Sequence, residues 1–280
     1  MPAVVATAHG DGFLNAPQSH LRGVGIDVRG VTKRYNSARG EPILALERVD
    51  IDIAPGEFVS IVGPSGCGKS TLMMLVSGLI PVSSGEIRVD GKPIAGAVKQ
   101  AGIVFQRDVL LDWRSVLDNV MLPVEIKKLD HKTHLAKARE LLASVGLAGF
   151  EDKYPGELSG GMRQRASICR ALVQNPGLLL MDEPFRALDA LTREQMNVDL
   201  QKIWMRERNT VVFITHSIEE AVLLADRVVV MSARPGRIAD VIEIGMPRPR
   251  GSHSRSDPQF LQHVEKIRRH FMALGILSEA

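Results

Sequence analysis

The nine residues GPSGCGKST, 63–71, constrain this chain more than any other stretch. They fit the pattern G-x-x-x-x-G-K-[ST] and lie between the apolar run EFVSIVG and the segment KSTLMMLVSGL. A buried strand that enters a glycine-rich turn and leaves as a helix brings several backbone N–H groups to one point. The positive end of the helix adds to them. The pattern in that context is a phosphate cradle. Gly63, Pro64, Ser65, Gly66, Cys67, Gly68, Lys69, Ser70 and Thr71 are its candidate residues. Lys69 is placed to reach the β- and γ-phosphates, and the Ser70 hydroxyl to bind Mg²⁺. Cys67 is expected to contribute its backbone.

A second stretch, LLLMDEPFRALDA (178–190), sets two acids side by side after an apolar run. An unpaired buried carboxylate costs several kcal/mol. The cation implied by the phosphate loop accounts for the pair. Asp182, ending a buried strand, is placed to hold Mg²⁺, and Glu183 to take a proton from an attacking water. A third stretch, LSGGMRQR (158–165), puts Ser159, Gly160 and Gly161 before a helix, which makes a second anion site at a helix N-terminus. A chain with one phosphate loop has no evident use for a second. The economical reading is that this turn meets the γ-phosphate of ATP held by another copy, so that function requires a dimer.

The rest of the chain supplies the frame. GIDVRGVTKRY (25–35) and ILALERVDIDI (43–53) alternate apolar and polar residues, as half-exposed antiparallel strands do. GEIRVDGKPI (85–94) reads as a hairpin turning at Asp90-Gly91. AGIVFQ, GLLLMD, TVVFITH and RVVVMSA read as strands, with helices MRQRASICRALVQNP, REQMNVDLQKIWMRER and SIEEAVLLA among them. Such alternation predicts a mostly parallel sheet covered on both faces. Residues from 107 to about 160 carry helical spacing instead and are expected to form a helical insert. SDPQFLQHVEKIRRHFMALG, near the C-terminus, reads as an amphipathic helix with apolar positions 260, 261, 264, 267, 271 and 274.

Composition excludes little. A net charge of +3 does not by itself suggest nucleic-acid binding. The two cysteines, Cys67 and Cys169, have neither metal nor disulfide spacing, which fits a reducing cytoplasm. No apolar run approaches the roughly 20 residues of a membrane span. Residues 1–23 lack the marks of a signal peptide and are expected to be a flexible tail.

In order and spacing, these motifs resemble the ATP-binding-cassette family, the nucleotide-binding subunits of ABC transporters. The resemblance runs from about residue 24 to 245, with residues 246–280 as a C-terminal extension. It implies an α/β fold of the P-loop NTPase type (an ABC-type ATPase), with an antiparallel β-subdomain and a helical subdomain. It makes 63–71 the Walker A loop, Leu158 to Gln164 the signature motif, Asp182 the Walker B acid and Glu183 the catalytic base. Gln106 then matches the glutamine that senses the γ-phosphate and Mg²⁺, and His216 the switch histidine. ALD (187–189), ending in Asp189, matches the D-loop, and Tyr35 is placed like the aromatic that stacks on adenine.

LLDWRSVLDNVMLP (110–123) is similar to the ATPase subunits of importers in the nitrate/sulfonate/taurine/bicarbonate group. The family implies transmembrane permease subunits, a substrate-binding protein and a second copy as partners, no nucleic acid, and a place on the cytoplasmic face of the inner membrane. Leu110, Leu111 and Trp113 suit either a groove for the permease or the core of the helical insert. Arg186 departs from the pattern, which has Gly or Ser there; an arginine could pair with phosphate or a carboxylate or crowd the interface, and the position expected is solvated at the rim.

Overall fold

The computed structural model describes residues 22–36 and 40–276. Its elements begin with β1 (Ile26–Tyr35), β2 (Ile43–Ile53), β3 (Phe58–Val62), α1 (Lys69–Val76), β4 (Ser84–Val89), β5 (Lys92–Pro93) and β6 (Ala101–Val104). Then come the helices α2 (Val116–Ile126), α3 (His131–Ser144) and α4 (Gly160–Leu172). The chain continues with β7 (Leu178–Asp182), α5 (Ala190–Glu207), β8 (Thr210–Ile214), α6 (Ile218–Leu224), β9 (Arg227–Met231), β10 (Ile238–Glu243) and α7 (Pro258–Ala273).

The alternating strands β1 and β2 pair antiparallel in a four-stranded sheet of order β2-β1-β4-β5. Asp90 and Gly91 link β4 to β5 with φ of +50° and +70°, both left-handed, as a two-residue type I′ turn requires. The uniformly apolar strands, joined by β10, make the other sheet, of order β10-β9-β3-β8-β7-β6. In it β9, β3, β8, β7 and β6 are parallel, and β10 caps the edge antiparallel to β9. The sequence does not suggest β10, because IADVIE mixes two acids into a short run.

Strand periodicity divides the core in two. Val59, Ile61, Leu178, Leu180, Val212, Ile214, Val229 and Met231 pack with α1 and the inner faces of β1, β2 and β4. Their neighbours Phe58, Val62, Leu179, Met181, Val211, Phe213, Val228 and Val230 pack with the helices on the opposite face. Helix α1 is thus held between the two sheets, so the loop that starts it is anchored from both sides.

Side-chain caps set the helix starts. Ser115, Asp130, Ser159, Asp189, Ser217 and Asp257 each accept a backbone N–H of the first turn of α2 to α7 in turn. Helices α4 and α5 therefore begin earlier than their apolar spacing suggests, at Gly160 and Ala190. Phe260, Val264, Ile267 and Phe271 of α7 are buried, whereas Leu261 is exposed, so the apolar stripe is narrower than expected. Most of the expected tail lies outside the described residues. Arg22, within its expected bounds, instead pairs with Glu207 and Asn175. The apolar trio after Gln106 divides: Leu110 is core, while Trp113 is 75% exposed.

Candidate active site

Parallel strands direct their C-terminal ends to one side of a sheet, where α/β folds place ligands. Four neighbouring strands do so here. The 63–71 loop follows β3, His216 follows β8, Asp182 and Glu183 end β7, and Gln106 follows β6. A cleft of about 450 Å³ opens there, lined by Ser65, Gly66, Gly68, Lys69, Ser70, Thr71, Gln106, Glu183 and His216, with Tyr35 from β1. Gly68 begins α1 with φ +106°, a conformation that side chains resist.

Lys69 is buried, and its ammonium donates to the carbonyls of Gly63 and Pro64 at 2.9 Å each. Its third contact is the Cys67 Sγ at 3.9 Å, a weak acceptor that a phosphate oxygen would outcompete. Gly63, Pro64 and Cys67, although part of the loop, do not line the cleft. The Cys67 thiol is buried, which raises its pKa. Tyr35 stands at the mouth, its hydroxyl 3.4 Å from Thr71 Oγ1 and the Lys33 ammonium 5.2 Å from its ring centre.

The two acids separate by strand parity. Leu178 and Leu180 face α1, so Asp182 faces it too, and meets the first turn at Ser70. Burial raises the Asp182 pKa against the opposing Ser70 hydrogen bond, and its Oδ1 is buried without a hydrogen-bond partner among the described residues. An orphaned carboxylate oxygen beside a hydroxyl is a donor set that fits an oxygen-seeking divalent cation. Glu183 leaves the strand with φ +46°, although its N–H still bonds Ile214 O at 2.9 Å. Non-glycine residues in this region are uncommon. The turn swings its carboxylate into the cleft. Oε1 lies 2.7 Å from His216 Nε2, and Oε2 accepts from Gln106 Nε2 at 3.1 Å.

Arg186 is exposed, as expected of a rim position, and it also takes up the carboxylate pairing open to it. Its Nη1 donates to Glu183 Oε2 at 3.2 Å. Sequence reasoning missed Arg234, whose Nε bonds Gly66 O at 3.3 Å, and Gly236, where a Cβ would sit 1.9 Å from Cys67 O. The Pro235-Gly236 dipeptide was the available signal for that close backbone approach. Behind His216, the Thr215 hydroxyl donates to the buried Glu220 at 2.6 Å.

Ser159, Gly160 and Gly161 do not line the cleft; Ser159 Oγ accepts the Met162 N–H at 3.2 Å and starts α4. Asp189 does not line it either. Its carboxylate caps α5, and the Thr192 N–H it accepts holds it below the ordinary carboxylate range. Within one chain, then, a phosphate loop, two acids, a glutamine and a histidine meet, and the second helix-N-terminal turn stands apart.

The family model described as ABC transporter matches residues 46–186. The chain belongs to the ABC transporter family. It is 47% identical over 234 residues to a taurine import ATP-binding protein of Rhizobium johnstonii, covering 82% of this chain and 89% of that protein. It is 40% identical over 252 residues to an aliphatic sulfonates import ATP-binding protein of Bacillus cereus, covering 90% and 98%. Among solved structures, it superimposes with a TM-score of 0.71 on an ATP-binding cassette in a dimeric post-hydrolysis state bound to ADP and Pi. That cassette is 32% identical, and the match covers 79% of this chain and all of that one. The chain is therefore an ABC transporter ATP-binding subunit of the importer group, an ATPase on the P-loop α/β fold. Its named relatives meet the expectation, and none of the helices in the described residues is long and apolar enough to cross a membrane.

Proposed function

We propose that this ABC subunit works as an ATP-sandwich dimer that powers import of a small solute of the nitrate/sulfonate/taurine/bicarbonate class. In this reading it is peripheral to the cytoplasmic face of the inner membrane and serves permease subunits fed by a substrate-binding protein. The observation that carries the reading is the divided site. Four strand ends build one cleft, while Ser159–Gly161 lie outside it and need a second copy to reach a γ-phosphate.

Ser70 and Asp182 would hold Mg²⁺, which neutralises developing phosphate charge when bound. The loop N–H groups and the Lys69 ammonium would hold the phosphates. Tyr35 offers its face to the adenine. Glu183, its backbone turned out of β7, takes the proton of the attacking water. Gln106 and His216 fix the two oxygens of that carboxylate and orient the base before reaction.

The test is E183Q in the full chain co-expressed with its neighbouring genes. Turnover should fall by about 10²- to 10⁴-fold. The variant should accumulate as an ATP-bound dimer and co-purify with a polytopic membrane protein. Normal turnover would remove Glu183 as the base. Consistently partner-free behaviour would remove the transport assignment.

A further inference from the structure

Glu183 has one donor more than a waiting base needs. Its Oε1 meets His216, and its Oε2 is shared by Gln106 at 3.1 Å and Arg186 at 3.2 Å. The first two donors come from neighbouring strand ends. The third comes from the same turn, which the Arg186 N–H closes onto Glu183 O at 3.2 Å. Phe185 is driven into the core, 1% exposed, so its neighbour must project outward. Arg186 thereby stands on the partition between the 450 Å³ cleft and a smaller one of about 260 Å³ that also reaches Arg193 and Glu220.

A guanidinium on a carboxylate oxygen does two things. It occupies lone-pair directions that an attacking water would use, and it ties the carboxylate to one position, so water and guanidinium compete for the same oxygen. Because the arginine side chain is 66% exposed, the contact is a weak one that an anion can displace. The terminal phosphates of a nucleotide would enter the very cleft that Arg186 lines, and they compete for the same fork.

We infer that Arg186 is a positioning residue that restrains Glu183 and holds down the basal rate of ATP hydrolysis. The inference rests on the reading of Glu183 as the base. Arg186 acts through that carboxylate, sharing its time between Glu183 and any bound phosphate and leaving Glu183 fully free only when a partner surface draws the guanidinium away.

The experiment is steady-state ATPase activity of the full chain with Mg·ATP, comparing wild type with R186Q, R186G, R186K, E183Q and the double variant E183Q/R186Q. Loss of one exposed pair should raise kcat by about two- to fivefold in R186Q and R186G, with KM for ATP within about twofold. R186K, which keeps the charge without the planar fork, should fall between them and wild type. Added salt should raise wild-type turnover more than that of R186Q, because screening loosens only the intact pair. The double variant should be as inactive as E183Q. A kcat in R186Q equal to or below wild type, with E183Q inactive, overturns the inference and leaves the base in place. A rate gain in the E183Q background also overturns it, since Arg186 would then act elsewhere. Normal turnover by E183Q removes both readings together.

Discussion

Arg250 is almost wholly buried, 2% exposed, and ties three parts of the fold together. Its Nη1 donates to Val222 O and Ala225 O at 2.8 and 2.7 Å, at the end of α6. Those carbonyls lie past the point where the helix supplies donors, because the Asp226 N–H turns away to Phe58 O. Nη2 and Nε donate to Ile244 O and Met246 O, in the segment that leaves β10. Its own N–H bonds Gln201 Oε1 of α5 at 2.5 Å. Burial, with Arg248 nearby, pushes its pKa down to about 10, so the cation persists at pH 7. A cation at a helix C-terminus also meets the negative end of the dipole.

The substitution R250M keeps the bulk and removes every donor of the guanidinium. Four buried carbonyls then lose their partner, each at a desolvation cost of about 1–3 kcal/mol. The losses overlap, because the segment can relax around a single hole. Breaking a buried charged network of this kind costs about 3–5 kcal/mol in total. At about 2–4 °C per kcal/mol for a chain of this size, the apparent Tm should drop by roughly 10 °C. Circular dichroism melts at fixed protein concentration measure it. Hydrogen exchange should localise the effect, with faster exchange across 217–225, the helix that follows His216. R250K supplies three donors at one point rather than a planar fork, and should recover only part of the loss. If R250M melts within about 3 °C of wild type, the carbonyls find other partners and the staple is not energetic.

Two further outcomes follow from buried groups. Burial raises the Asp182 pKa, so the folded chain binds more protons than the unfolded one between the ordinary carboxylate value and the raised one. Stability falls as pH rises through that window, and the cost is fully present above it. D182N should therefore raise Tm at pH 7.5, with the gain shrinking as the pH approaches about 4. It should also lose Mg²⁺-dependent ATP turnover by at least about 10²-fold. A lower Tm in melts without nucleotide would contradict the desolvation argument. Cys169 is fully buried with its pKa pushed up to about 12, so at pH 8 its thiolate fraction is on the order of 10³-fold below that of an ordinary thiol. Iodoacetamide should leave it unmodified in the native chain and label it after denaturation; mass spectrometry that finds native labelling within minutes refutes this.

Much of the fold was legible because it rests on repeating local signals. Period-two strands, uniformly apolar strands and a loop with fixed glycine spacing each report on their own residues. The caps Ser159 and Asp189 are equally local, and they extended helices that apolar spacing alone started late. What stayed illegible depends on pairs distant in sequence. Nothing at Arg234 announces Gly66, nothing at Arg250 announces the end of α6, and nothing in IADVIE announces β9 as its partner. Those contacts are chosen by the tertiary arrangement and by buried backbone groups that must be satisfied.

The adjacent acids show where the two kinds of information meet. On a regular strand, neighbouring side chains point to opposite faces, so Asp182 and Glu183 could not serve one cleft. Parity correctly sends Asp182 to the α1 side, where Ser70 waits. Glu183 reaches the same cleft only because the strand ends at it, with φ +46°, while its N–H keeps the last ladder bond to Ile214. A left-handed glutamate costs about 1–3 kcal/mol, and it persists because its surroundings fix it. Phe185 in the core and the closing bond from Arg186 N–H pin the turn from one side, and His216 and Gln106 hold the carboxylate from the other. The same turn that delivers the base therefore delivers Arg186 to it. A chain that puts arginine at this position cannot place Glu183 in the cleft without also placing a cation within reach of its oxygen.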